Sequence, residues 1–100
     1  MSLEKQILLI VRTDVAPEME DAFNRWYNEE HIPLLIKVPG VLWAKRGMNK
    51  GKGHKYIAVY GHENIDVQKT PAYRDVLETE WARRIRPHLR NFEREIYELF

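Results

Sequence analysis

The chain has 100 residues, 44% hydrophobic and 31% charged, which suits one folded core and excludes a disordered chain. Sixteen Lys and Arg against 15 Asp and Glu leave a formal net charge of +1, so no field of one sign draws it to nucleic acid or an anionic membrane. There is no cysteine, which excludes a disulfide framework, a thiolate metal site and a cysteine nucleophile together.

Met1 to Lys5 is polar and lacks the apolar stretch of a secretory leader. The longest apolar run, Ile7 to Val11, is far short of the ~20 residues a membrane helix needs. A cytoplasmic protein is the expectation. Ile7-Leu8-Leu9-Ile10-Val11 is apolar at both parities and reads as a strand covered on both faces. In a two-layer α+β domain helices cover one face only, so the other face calls for a second copy of the chain.

Asp14 to Pro17 reads as a loop, with Pro17 at the first helical position, where its missing N–H is no loss. Glu18, Glu20 and Asp21 complement the helix dipole, and Met19, Ala22, Phe23, Trp26 and Tyr27 recur at helical spacing. Pro33 is expected to stop or kink this helix near Glu30-His31, and Pro39-Gly40 marks a turn. Val41 to Met48 and Lys55 to His62 read as strands joined by the flexible turn Asn49 to Gly53. Ile57, Val59 and Gly61 then share one face, and Tyr56, Ala58, Tyr60 and His62 the other.

Asn64 to Lys69 is a linker with at most one helical turn. Thr70-Pro71 reads as an N-cap and first helical residue, followed by Tyr73, Val76 and Leu77 at helical spacing. Thr79 can cap a second segment holding Trp81, Ile85 and Leu89, limited by Pro87. Phe92 to Phe100 closes the chain as a strand. Residues 1–100 thus form a single α+β domain of order βαββαβ.

The stretch Phe23-Asn24-Arg25-Trp26-Tyr27-Asn28-Glu29-Glu30-His31-Ile32-Pro33, followed by Val38-Pro39-Gly40-Val41, resembles the EthD-like branch of the dimeric α/β-barrel superfamily. Pro71-Ala72-Tyr73, Thr79-Glu80-Trp81 and Arg94-Glu95-Ile96-Tyr97 look like the same group, so the resemblance spans nearly the whole chain. It implies a ferredoxin-like subunit with an antiparallel sheet, two of which face one another and close a barrel as a homodimer. It also implies activities ranging from cofactor-free monooxygenases, lactone isomerases and polyketide cyclases to accessory proteins of degradation pathways; a shared fold does not choose among them.

His31 is the first catalytic candidate: an imidazole titrates near cellular pH, it stands where a helix end and the sheet could leave a cleft, and the resemblance puts the characteristic His there. The plain alternative is a His interacting with the last carbonyls of the helix. Glu30 falls among Met19, Ala22, Phe23 and Trp26 on a helical wheel, so its carboxylate needs a partner. It is a general base, the mate of Arg46 or another cation, or, where the helix unwinds early at Pro33, simply solvated. Tyr60 and His62 can orient a ligand oxygen or donate a proton. With Tyr56 they can equally line a sheet-to-sheet dimer interface. Trp26, Tyr27, Trp43, Tyr56 and Trp81 are candidate substrate-binding walls, and together with Tyr73 they can also be ordinary packing.

No metal site is expected: the four histidines show no spacing that puts two ligands on one face. Gly47, Gly51 and Gly53 belong to the hairpin and do not suit a dinucleotide or phosphate loop, and no cofactor is expected. The basic hairpin and the third-strand tyrosines resemble an RNA-recognition motif only superficially, because the aromatic order of that motif is missing; no nucleic-acid partner is expected. The leading expectation is a cofactor-independent isomerase, cyclase or monooxygenase acting on a small, largely apolar, oxygenated molecule, with His31 as acid/base. The alternative is a non-catalytic binding or accessory protein with the same dimeric barrel.

Overall fold

The structure, a computed structural model, describes residues 5–100. Met1 to Glu4, on which the leader reading rests, lie outside the described residues. Strand β1 (Ile7–Val15) alternates as its composition demands: Ile7, Leu9, Val11 and Thr13 are buried, while Leu8, Ile10 and Arg12 are half-buried on the opposite face. Strands β2 (Val41–Met48), β3 (Tyr56–His62) and β4 (Leu89–Glu98) complete one antiparallel sheet in the order β2-β3-β1-β4. With helices on one face, this is the ferredoxin-like α+β fold.

The register assigns the two faces. Leu9 pairs with Tyr60 and Val11 with Ala58, so Tyr56, Ala58, Tyr60 and His62 share the helix-covered face and are all buried. Ile57, Val59 and Gly61 share the uncovered face with Leu8 and Ile10. This corrects one alternative of the sequence reading: Tyr56, Tyr60 and His62 point into the subunit and cannot line a sheet-to-sheet interface.

The first helical stretch runs from Pro17 to Leu35 in four geometries: a 3₁₀ turn (Pro17–Met19), α1 (Glu20–Trp26), a π turn (Tyr27–His31) and α2 (Ile32–Leu35). Pro33 therefore does not end the helix near Glu30-His31. In the π turn the Ile32 N–H reaches back to the carbonyl of Tyr27, five residues earlier. Pro33 then sits in the first turn of α2, where a missing N–H is tolerated. Phe23 is fully buried and Leu35 nearly so; a buried side chain of that size contributes about 1.5–3 kcal/mol.

At the turn into β2, Gly40 has φ +94°, and a β-carbon there would collide with Val67. In the second half, α3 (Pro71–Leu77) begins at Thr70, whose hydroxyl accepts from the Tyr73 N–H at 3.3 Å. Helix α4 (Glu80–Ile85) begins at Thr79, which accepts from Ala82 N–H at 3.1 Å. A 3₁₀ turn (Arg86–His88) leads into β4 three residues before the expected start at Phe92. The extra pairing, Asp14 with Arg90 and Val15 with Leu89, lies beyond a register shift, near which Asn91 adopts φ +53°.

The helices lie over β1 and β3 and leave the same side of β4 open: Phe92 is 50% exposed and Ile96 41%. Among the described residues no helix is long and apolar enough to cross a membrane.

Candidate functional site

Where the helices stop short of β4, a cavity of about 540 Å³ opens. Its floor is Val11, Tyr60, Phe92 and Arg94 from the sheet. Trp26, Tyr27 and His31 of the first helical stretch line it from the helix side, as do Tyr73, Leu77 and the exposed Arg86. That volume is typical of a pocket for a small organic ligand.

The π turn explains how Trp26 and His31 reach the cavity together. At 3.6 residues per turn, residues five apart in an α-helix would diverge by about 140° around the axis. The wider turn brings them back to one face, with their rings stacked at 4.3 Å and 27°. Tyr27 meets the His31 ring edge-on at 5.1 Å. Burial pushes the imidazole down from 6.5 to about 4, with the guanidinium charges of Arg86 and Arg46 adding to the effect. The ring is thus neutral at neutral pH, and its Nδ1 is buried with no hydrogen-bond partner among the described residues.

Tyr60 and Tyr27 share a hydrogen bond between their hydroxyls. Burial raises both phenols, Tyr60 well above the usual range, so both stay protonated. Arg46 lies over the Tyr27 ring at 4.3 Å and donates to Asn24 (2.8 Å) and Asn28 (3.0 Å).

Of the candidates named from the sequence, His31, Tyr60, Trp26 and Tyr27 therefore meet on one cavity. The remaining candidates stand elsewhere. Glu30 is half-buried beside the cavity, and its partner is not a cation. Its Oε2 accepts from the Trp26 indole N–H (3.1 Å) and from the Thr79 hydroxyl (2.8 Å), which ties the π turn to the cap of α4. His62 is buried at the end of β3, edge-on to Tyr73 at 5.7 Å, off the cavity wall. Burial lowers its pKa and Arg94 adds to this. Tyr56 donates to Glu20 and accepts from Asn24 (3.1 Å) beneath the start of α1. Trp43 lies on the uncovered sheet face, its indole so close over Gly61 that a β-carbon there would collide with it. Trp81 packs half-buried against the core.

The sequence reading did not single out Arg86 and gave Arg94 no role beyond the family resemblance. Arg94 had a usable signal: it alternates with Phe92 and Ile96, which places it on the apolar, cavity-facing side of β4.

The sequence matches no protein-family model and no curated protein. Solved structures do resemble it. A Bordetella bronchiseptica protein assigned as an antibiotic biosynthesis monooxygenase superposes with a TM-score of 0.75 at 15% identity, covering 97% of this chain and 99% of that one. SnoaB, a cofactor-independent oxygenase from Streptomyces nogalater, gives 0.62 at 18% identity over 93% of this chain and 91% of that one. A dimeric ferredoxin-like protein of unknown function from Thermobifida fusca gives 0.64 at 16% identity, with 99% and 95% covered. At such identities the likeness is one of fold.

Proposed function

We propose that the chain is an enzyme of the cofactor-independent oxygenase, isomerase or cyclase type, acting on a small, largely apolar, oxygenated molecule held in the cavity beneath the π turn. The observation that carries this reading is a neutral, buried imidazole stacked on Trp26 at the wall of a cavity of about 540 Å³. The three reaction types share a first step. His31 accepts a proton from an acidic C–H or phenolic O–H, the electron pair stays on the substrate as an enolate or phenolate, and Arg86 sits near enough to His31 to be felt as a charge beside that anion. The likeness to SnoaB and to the assigned monooxygenase supports oxygen chemistry as one outcome. The residues shared with the EthD-like branch support placing the acid/base at His31.

The reading includes a homodimer. Leu8, Ile10, Ile57 and Val59 form an apolar strip on the uncovered sheet face, with Trp43 beside them. A second copy would bury it, and the dimeric neighbour from Thermobifida fusca supports such pairing.

Hydrogen–deuterium exchange tests the chemistry before any product is known. Incubated in D₂O with fused-ring and other cyclic ketones whose α-C–H exchanges slowly unaided, the protein should accelerate exchange at the acidic C–H of at least one compound. His31→Ala should abolish that acceleration while the compound still raises the melting temperature. Exchange that persists in His31→Ala removes the base from the mechanism. One observation favours a second reading, binding without turnover: the unpartnered Nδ1 leaves the tautomer of His31 unfixed, whereas catalytic histidines are commonly oriented by a third group. Ligand-induced stabilisation with no exchange in any compound would select it.

A further inference from the structure

We infer that the cavity takes a flat aromatic carboxylic acid, its ring system inside and its carboxylate docked at the mouth on Arg86 and Arg94. This rests on the reading that the cavity is the ligand site, and it adds the chemical class of the ligand.

The two guanidiniums come from different elements. Arg86 follows α4 directly, and Arg94 stands on β4 opposite Val11, on the side that floors the cavity. Each is anchored by a neutral oxygen, Arg86 on the Leu77 carbonyl and Arg94 on the Gln68 side-chain amide. Among the described residues neither forms an ion pair, although Arg12, Arg25 and Arg83 pair with Glu95, Glu29 and Glu78. Glu78, the carboxylate on the wall, is thus engaged by Arg83 at 3.3 Å. With His31 neutral, two cations against one paired anion leave the wall positive.

A guanidinium has five N–H donors in a plane, so a single carbonyl partner holds it in place and leaves donors free for a carboxylate. Both arginines are exposed, whereas Trp26, Tyr27, Tyr60 and Leu35 line the cavity with little polarity. A charged group would therefore be bound at the rim and an uncharged ring within, because an unpaired charge inside would be costly. The tyrosine and tryptophan rings favour a flat guest by offset and edge contacts.

The test uses 2-naphthoate and its methyl ester as probes, followed by quenching of tryptophan fluorescence at neutral pH. The acid should bind at least about tenfold tighter than the ester, and Arg86→Gln and Arg94→Gln should each weaken the acid about tenfold while leaving the ester unchanged. Added salt should weaken the acid alone. Equal binding of acid and ester, or binding of neither, overturns the inference. The two proposals can fail separately. Arginine-dependent binding of the acid with no His31-dependent exchange in any compound sinks the enzyme reading alone. His31-dependent exchange with equal binding of acid and ester sinks the carboxylate inference alone.

Discussion

At the residue scale, His31 gives up solvation for a slot between Trp26 and Tyr27, and its pKa falls from 6.5 to about 4. The unfolded chain then takes up this proton near 6.5 and the folded chain not until about 4. Stability is complete above the upper value and is lost progressively as pH falls through that window, by about 3 kcal/mol in all. Urea unfolding at neutral pH and near pH 4 should show that loss in the wild type and a smaller one in His31→Leu. His62 shifts in the same direction, so the difference between the two proteins isolates His31. Glu30 offers a second measurement. Glu30→Ala strands the indole N–H of Trp26 and the hydroxyl of Thr79, and should destabilise by about 1–3 kcal/mol in urea titrations. Glu30→Gln, which keeps an acceptor in place, should recover part of it.

At the scale of elements, the π turn puts His31 beside Trp26, and Pro33 follows two residues after it. Proline has no N–H to offer the Glu29 carbonyl, so the α-helical hydrogen bond between residues 33 and 29 cannot form. Pro33→Ala supplies that donor. His31 should then rotate away from Trp26, and its pKa, followed by NMR titration, should climb from about 4 toward 6.5. An unchanged value would mean that tertiary packing holds the turn open. The other elements were legible because their signals are local: Thr70 and Thr79 are caps, and Val41 to Met48 is bounded by turns. The π turn was not, since a helical wheel assumes one fixed angle per residue. That assumption put Glu30 in the middle of the apolar stripe, while Pro33, expected to stop or kink the helix, left His31 as a helix end. The start of β4 was missed for a similar reason: Leu89 and Arg90 pair only by way of an irregularity near Asn91 that no alternation pattern announces.

At the scale of the whole molecule, the first strand carried the most information. Its odd residues are buried under helices and its even residues, Leu8 and Ile10, wait on the bare face. Analytical ultracentrifugation at micromolar concentration should find a dimer, and Ile10→Lys should convert it to a monomer with little loss of helix by circular dichroism. A wild-type monomer would remove the pairing from the proposal. Arg86 and Arg94 stayed hidden because isolated arginines in a charged sequence read as solvated surface; only the assembled fold places them at one opening. That opening, left where the helices end short of β4, has a kinetic meaning. A visitor can slip in sideways along the bare strand, past Phe92, without any helix swinging aside. Capture should then be a single diffusive step that accelerates in proportion to concentration and never levels off, as a doorway without a hinge requires.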